Sequence, residues 1–124
     1  MLQKLLNVKT FYYITTLFIA VLVGLVGGVV DILQTDAVVE ASQTLGYPLY
    51  FFFLLGVFKI LGAIALLLPK SLDRIKDLAY FGFAVDFIFA SFSHFSVGDP
   101  MAKIITPLVM LVILGVSYAL KNKI

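Results

Sequence analysis

The chain has 124 residues, 62% of them hydrophobic and 13% charged, with a mean hydropathy of +1.11 and a formal net charge of +2. A soluble domain is roughly 45–50% apolar and about 25% charged, so there is too little polar surface here to face water. The absence of cysteine excludes disulfides, thiol relays and cysteine-ligated clusters as chemistry of the chain itself, and no nucleic-acid partner is expected.

Four long apolar runs account for the excess: residues 11–30, 48–69, 78–95 and 104–120. Each is about 17 to 22 residues, enough to cross roughly 30 Å of hydrocarbon at about 1.5 Å per residue. Lipid offers the backbone no hydrogen-bond partner, so each run must satisfy its own amides, as an α-helix does. Outer-membrane strands are shorter and alternate in polarity. The expected fold is all-α: an integral membrane four-helix bundle, with helices at about 11–33, 48–69, 73–95 and 100–121 in a single domain, 1–124.

The first run follows Lys4 and Lys9, as in a signal peptide, but lacks a small-x-small cleavage site and is expected to stay in the mature protein. It ends at Asp31, which follows Gly24, Gly27 and Gly28 by seven, four and three residues. That spacing places all four on one stripe, permitting another helix to come close. Residues 36–48 read as a short helix outside the membrane, capped by Asp36 and closed by Gly46 before Pro48.

Lys59 stands near the middle of the second run, flanked by Gly56, Gly62 and Ala63. The tight link 70–77 makes the second and third helices antiparallel neighbours. Asp86 is central in the third run, with Gly82, Ala90 and Ser93 on its side and His94 near the end. In the last connection, Asp99 and Pro100 form an N-cap and first-turn pair, and Pro107 is expected to kink the fourth helix. Lys4, Lys9, Lys70, Arg74, Lys76, Lys121 and Lys123 fall in alternate connections, against Lys103 alone on the other side. The positive-inside rule therefore puts both termini in the cytoplasm and the short helix outside.

A charge at mid-bilayer depth costs roughly 2.5–3.5 kcal/mol, so Lys59 and Asp86 should not face lipid. Counted from the link between their helices, they lie about 15 Å and 12 Å deep. They are expected to meet, either as a clasp that fixes helix register or as a ligand or proton site. Asp31 and His94 share the outer end and are expected to touch there. One histidine with nearby carboxylates is a poor metal set, so no metal and no intrinsic cofactor is expected. Small residues beside the charges permit either close helix contact or room for a ligand.

Leu45-Gly46-Tyr47-Pro48, the run from Leu55 to Ile64 with Lys59 at its centre, and Leu66-Leu67-Leu68-Pro69 carry a family likeness. So do Leu78-Ala79-Tyr80-Phe81-Gly82-Phe83, Phe87, Ala90, Ser93-His94 and Val97-Gly98-Asp99. The sequence resembles the DoxX-like membrane proteins over about residues 11–120. The resemblance implies a bacterial, multi-pass inner-membrane protein of a superfamily named for a small subunit of a thiosulfate:quinone oxidoreductase. Other members are linked to membrane redox or chaperone-like complexes. In the closer branch, Lys often stands where Lys59 does, followed by an Asp and a Ser-His like Asp86 and Ser93-His94.

Three functions compete. The first is a non-catalytic component that binds a small apolar ligand, a quinone or lipid, or a partner protein around Lys59, Asp86, Ser93, His94 and Asp31, within a larger membrane complex or a homodimer. The second is a small proton-coupled transporter using Asp86 and Lys59. The third is an intramembrane enzyme acting on a lipid-soluble substrate, with His94 and Asp31 or Asp86 as acid and base. Any redox chemistry would have to come with a bound quinone.

Overall fold

The computed structural model describes residues 2–123, and these are mostly helical with no strand among them. Helix α1 (Leu2–Leu17) runs without a break through a π-helical stretch, Phe18–Val26, into α2 (Gly27–Leu33). Then come α3 (Asp36–Leu45), α4 (Leu49–Leu66), a 3₁₀ turn at Lys70–Leu72, α5 (Asp73–Ser96) and α6 (Met101–Lys121). Four helical runs are long and apolar enough to cross a membrane: Leu2–Leu33, Leu49–Leu66, Lys70–Ser96 and Met101–Lys121.

The first span starts at Leu2, well before the expected residue 11. Its polar opening turns, with Lys4 and Lys9, are helix that the apolar pattern does not register, because at about 48 Å the run outreaches the hydrocarbon layer. The joints between helices depend on backbone that only certain residues tolerate. Gly46, at φ 80°, closes α3, its N–H reaching the Ser42 carbonyl at 3.0 Å. Gly98, at φ 74°, turns the chain between α5 and α6. Two expected caps are corrected. Thr35, not Asp36, precedes α3, and Pro100 precedes α6 because the Asp99 carboxylate is spent on His94.

The spans form a closed ring in which α4 packs on α2 and on α5, α5 on α6, and α6 on α1. The first span thus leans on α6 at the end carrying the chain termini and on α4 at the other end. Ile19, Ala20, Ala63, Leu66, Phe83, Phe87 and Leu114 make the core. Larger apolar side chains face outward on every span, among them Phe58, Leu61, Leu78, Phe81, Phe89, Phe92 and Val112. Such a shell is stable against acyl chains and not against water. The protein is a multi-pass membrane protein.

Candidate functional site

The seam between α2 and α4 is closed by glycines. A Cβ on Gly56 would come within 2.5 Å of the Gly28 carbonyl oxygen, and one on Gly24 within 2.6 Å of the Ala63 Cβ. The two backbones therefore touch, as small-residue stripes in membrane helices allow. The π-helical stretch places Gly24 in this seam: the Gly27 N–H reaches back to the Leu22 carbonyl as well as to Gly24, a widened turn of the kind that re-aims a helix face.

This contact brings Asp31 and Lys59 together, at 2.9 Å from Oδ2 to Nζ. The approach is that of an ion pair off the hydrogen-bonding direction, since Asp31 Oδ2 has no aligned donor. Both side chains are withdrawn from the surface, at 9% and 18% exposed. Lys59 lies along Gly27, where the missing side chain leaves its stem a channel. The pairing expected for Lys59 is corrected: its partner is Asp31, not Asp86. Depth and sequence adjacency favoured Asp86, but the direction each helix face points decides the contact. Lys59 sits on the Gly56/Ala63 stripe, and that stripe is the one docked on Gly24 and Gly28.

Asp86 stays close to the pair without joining it. Its half-buried carboxyl has no hydrogen-bond or ion-pair partner among the described residues. It lines a cavity of about 440 Å³ between α4 and α5, along with Lys59, Leu55, Phe58, Gly82 and Phe83. A second cavity of about 390 Å³, reaching Tyr47, Phe51 and Phe89, shares Leu55, Gly82 and Asp86 with the first. The two make one groove along the α4–α5 seam with Asp86 at its middle. Its floor is the Phe83 ring, which a Cβ on Gly62 would meet at 2.9 Å, whereas a Cβ on Gly82 would meet nothing within 4 Å. Apart from Lys59, Asp86 and Tyr47, the named walls are apolar.

The other two candidates are held elsewhere. Ser93 pairs its hydroxyl with Tyr47 at 2.7 Å, tying α5 to the start of α4. His94 Nδ1 lies 2.6 Å from Asp99 Oδ2, so the expected contact with Asp31 is corrected to one that closes the α5–α6 turn. His94 also lines a small recess of about 140 Å³ under α3 with Glu40 and Lys103. Among the described residues no three His, Cys, Asp or Glu side chains converge as a metal site requires.

One polar region escaped the sequence reading. At the terminus-bearing end, Ser117 bonds both Thr16 at 2.5 Å and Tyr80 at 2.6 Å, and Lys76 donates to Tyr12 at 2.9 Å. Lys121, buried, sits between Asp73 at 2.7 Å and Asp77 at 3.0 Å. Single hydroxyls in apolar runs carry no periodic signal, and Lys76 and Lys121 read as loop charges.

The model of the DoxX-like family matches residues 14–117, a stretch that includes Asp31, Lys59, Asp86, Ser93 and His94. No curated protein and no solved structure gives a significant match to the chain.

Proposed function

The chain belongs to the DoxX-like family, and from that premise we propose that it is a non-catalytic membrane component that takes a small, lipid-soluble molecule into the α4–α5 groove. The observation that carries this reading is Asp86: an unpartnered carboxyl on the wall of a cavity of about 440 Å³ whose lining is otherwise mostly apolar. Ligand sites are typically of about 300–1,000 Å³, apolar, with a few placed polar groups. A carboxyl accepts hydrogen bonds whether or not it is ionised, and the Lys59 ammonium is already drawn to Asp31. The head group that suits Asp86 is therefore a donor, a hydroxyl or amine. A quinol or an amine- or hydroxyl-headed lipid meets this better than an oxidised quinone, which has only acceptors.

The charge distribution supports a bacterial inner-membrane orientation with both termini cytoplasmic and α3 outside. Lys4, Lys9, Lys70, Arg74, Lys76, Lys121 and Lys123 gather at the terminus-bearing end, and Lys103 lies at the other. The two rival readings lose support from side-chain partners. A relay in which substrate displaces Lys59 from Asp86 lacks the starting contact, since Lys59 is with Asp31. An acid–base pair built on His94 lacks its second member, since His94 is with Asp99.

Calorimetric titration of the protein in nanodiscs with a short-chain quinol tests the proposal. Saturable binding is expected, weakened up to roughly tenfold by Asp86→Asn, about the value of one hydrogen bond. Absence of binding, affinity unchanged in Asp86→Asn, or equal affinity for the oxidised quinone would overturn it.

A further inference from the structure

Another recess lies at the terminus-bearing end and shares no lining residue with the groove. It holds about 280 Å³ and opens between α1 and the α4–α5 link, lined by Tyr12, Tyr13, Thr16, Leu17, Leu66 to Lys70, and Lys76. Lys76 is only 7% exposed, yet no carboxylate lies within ion-pairing distance of it among the described residues. Its ammonium gives one hydrogen bond, to Tyr12 Oη at 2.9 Å, and stands 5.6 Å from the centre of the same ring. An ammonium has three N–H donors, so one acceptor leaves most of its capacity unmet.

The nearby acids are already engaged. Asp73 and Asp77 both hold Lys121. Of the charged residues at this end, seven are basic and these two are acidic, so the recess lies in a positive field. A buried cation without a counter-ion is costly, and the cost is relieved when an anion arrives.

We infer that this recess binds the phosphate of an anionic phospholipid, with Lys76 as its buried contact and Lys70 at the rim. The recess distinguishes a lipid from a free phosphate by its shape. Leu17 and Leu67, 45% and 49% exposed, continue the wall away from Lys76 into the lipid-facing surface, where an acyl chain would lie. Tyr12 and Tyr13 stand at the interfacial level, where aromatic side chains meet head groups. Basic recesses between spans on the cytoplasmic side are suited to such head groups.

Native mass spectrometry of the full chain, released from micelles holding equal phosphatidylglycerol and phosphatidylcholine, reads the preference directly. Retention of phosphatidylglycerol over phosphatidylcholine by roughly fivefold is expected. Lys76→Met should abolish the preference and Lys76→Arg should keep it, while Asp86→Asn, in the groove, should leave it unchanged. If Lys76→Met fails to give monodisperse protein, the Lys70→Met variant should still lower the preference. Equal retention of the two lipids in the unchanged chain, or a preference that survives both methionine variants, would overturn the inference. Displacement of bound phosphatidylglycerol by inorganic phosphate would overturn the assignment to a lipid.

Discussion

Helix α4 has two seams built from the same kind of residue, and they come out opposite. Toward α2, Gly24, Gly28 and Gly56 bring backbone against backbone, and the charges on the two stripes neutralise each other there. Toward α5, a Cβ on Gly82 would meet nothing within 4 Å, and Asp86 beside it has no hydrogen-bond or ion-pair partner among the described residues. Glycine beside an intramembrane charge thus has two uses, and the sequence pattern alone is the same for both. What separates them is what faces the glycine: Gly56 has Gly28 opposite, whereas a Cβ on Gly82 would meet nothing within 4 Å.

The largest expected effect breaks the closed seam at its charges. Replacing Asp31 by Leu leaves the Lys59 ammonium buried and unpaired, and should destabilise the bundle by about 3 kcal/mol in a reversible detergent unfolding titration. The double variant Asp31→Leu/Lys59→Met should recover most of that loss. Asp86→Leu, at similar depth but without a partner to strand, should be neutral or slightly stabilising. If Asp31→Leu and Asp86→Leu cost the same, the two seams are not different in the way described.

The next effect is steric. Gly56→Ala places a methyl 2.5 Å from the Gly28 carbonyl oxygen and 3.0 Å from the Asp31 Cβ, so α2 and α4 must part. Overpacking of this sort costs about 1–3 kcal/mol. The added methyl should also lengthen the Asp31–Lys59 contact, so combining Gly56→Ala with Asp31→Leu should cost less than the sum of the two. Strict additivity in the same titration would show that the glycine contact and the ion pair are independent.

Much of this architecture is legible in the sequence, and the failures have physical causes. The four spans follow from run length, because the bilayer thickness sets a length that composition can be measured against. The glycine stripe Gly24, Gly27, Gly28 and Asp31 was legible as a close-approach face. Its partner was not, because a single helix does not say which neighbour its stripe meets. Depth alone points Lys59 to Asp86, whereas the matching signal is the second stripe, Gly56, Lys59 and Ala63, facing the first. The π-helical stretch left no mark that periodicity detects. It falls where α1, leaning on α6, gives way to α2 on α4, so the helix that looks uniform in composition changes neighbours along its length. The pairs Tyr12–Lys76 and Thr16–Ser117–Tyr80 join residues far apart in the chain and could be found only in three dimensions.

The smallest effect has the opposite sign from the others and is therefore the sharpest test of the open seam. Glycine inside a helix is less favourable than alanine by about 0.5–1 kcal/mol, a difference that survives where the new methyl touches nothing. At Gly82, where a Cβ has no neighbour within 4 Å, Gly82→Ala should stabilise the protein by roughly that amount, while the identical change at Gly56 destabilises it. The methyl also enters the groove beside Asp86, so the stabilised variant should bind the short-chain quinol more weakly. Stability and binding then move in opposite directions, as expected where an open position has been kept for an occupant rather than for the fold. A Gly82→Ala protein that is less stable would mean that α4 and α5 close on each other in the membrane.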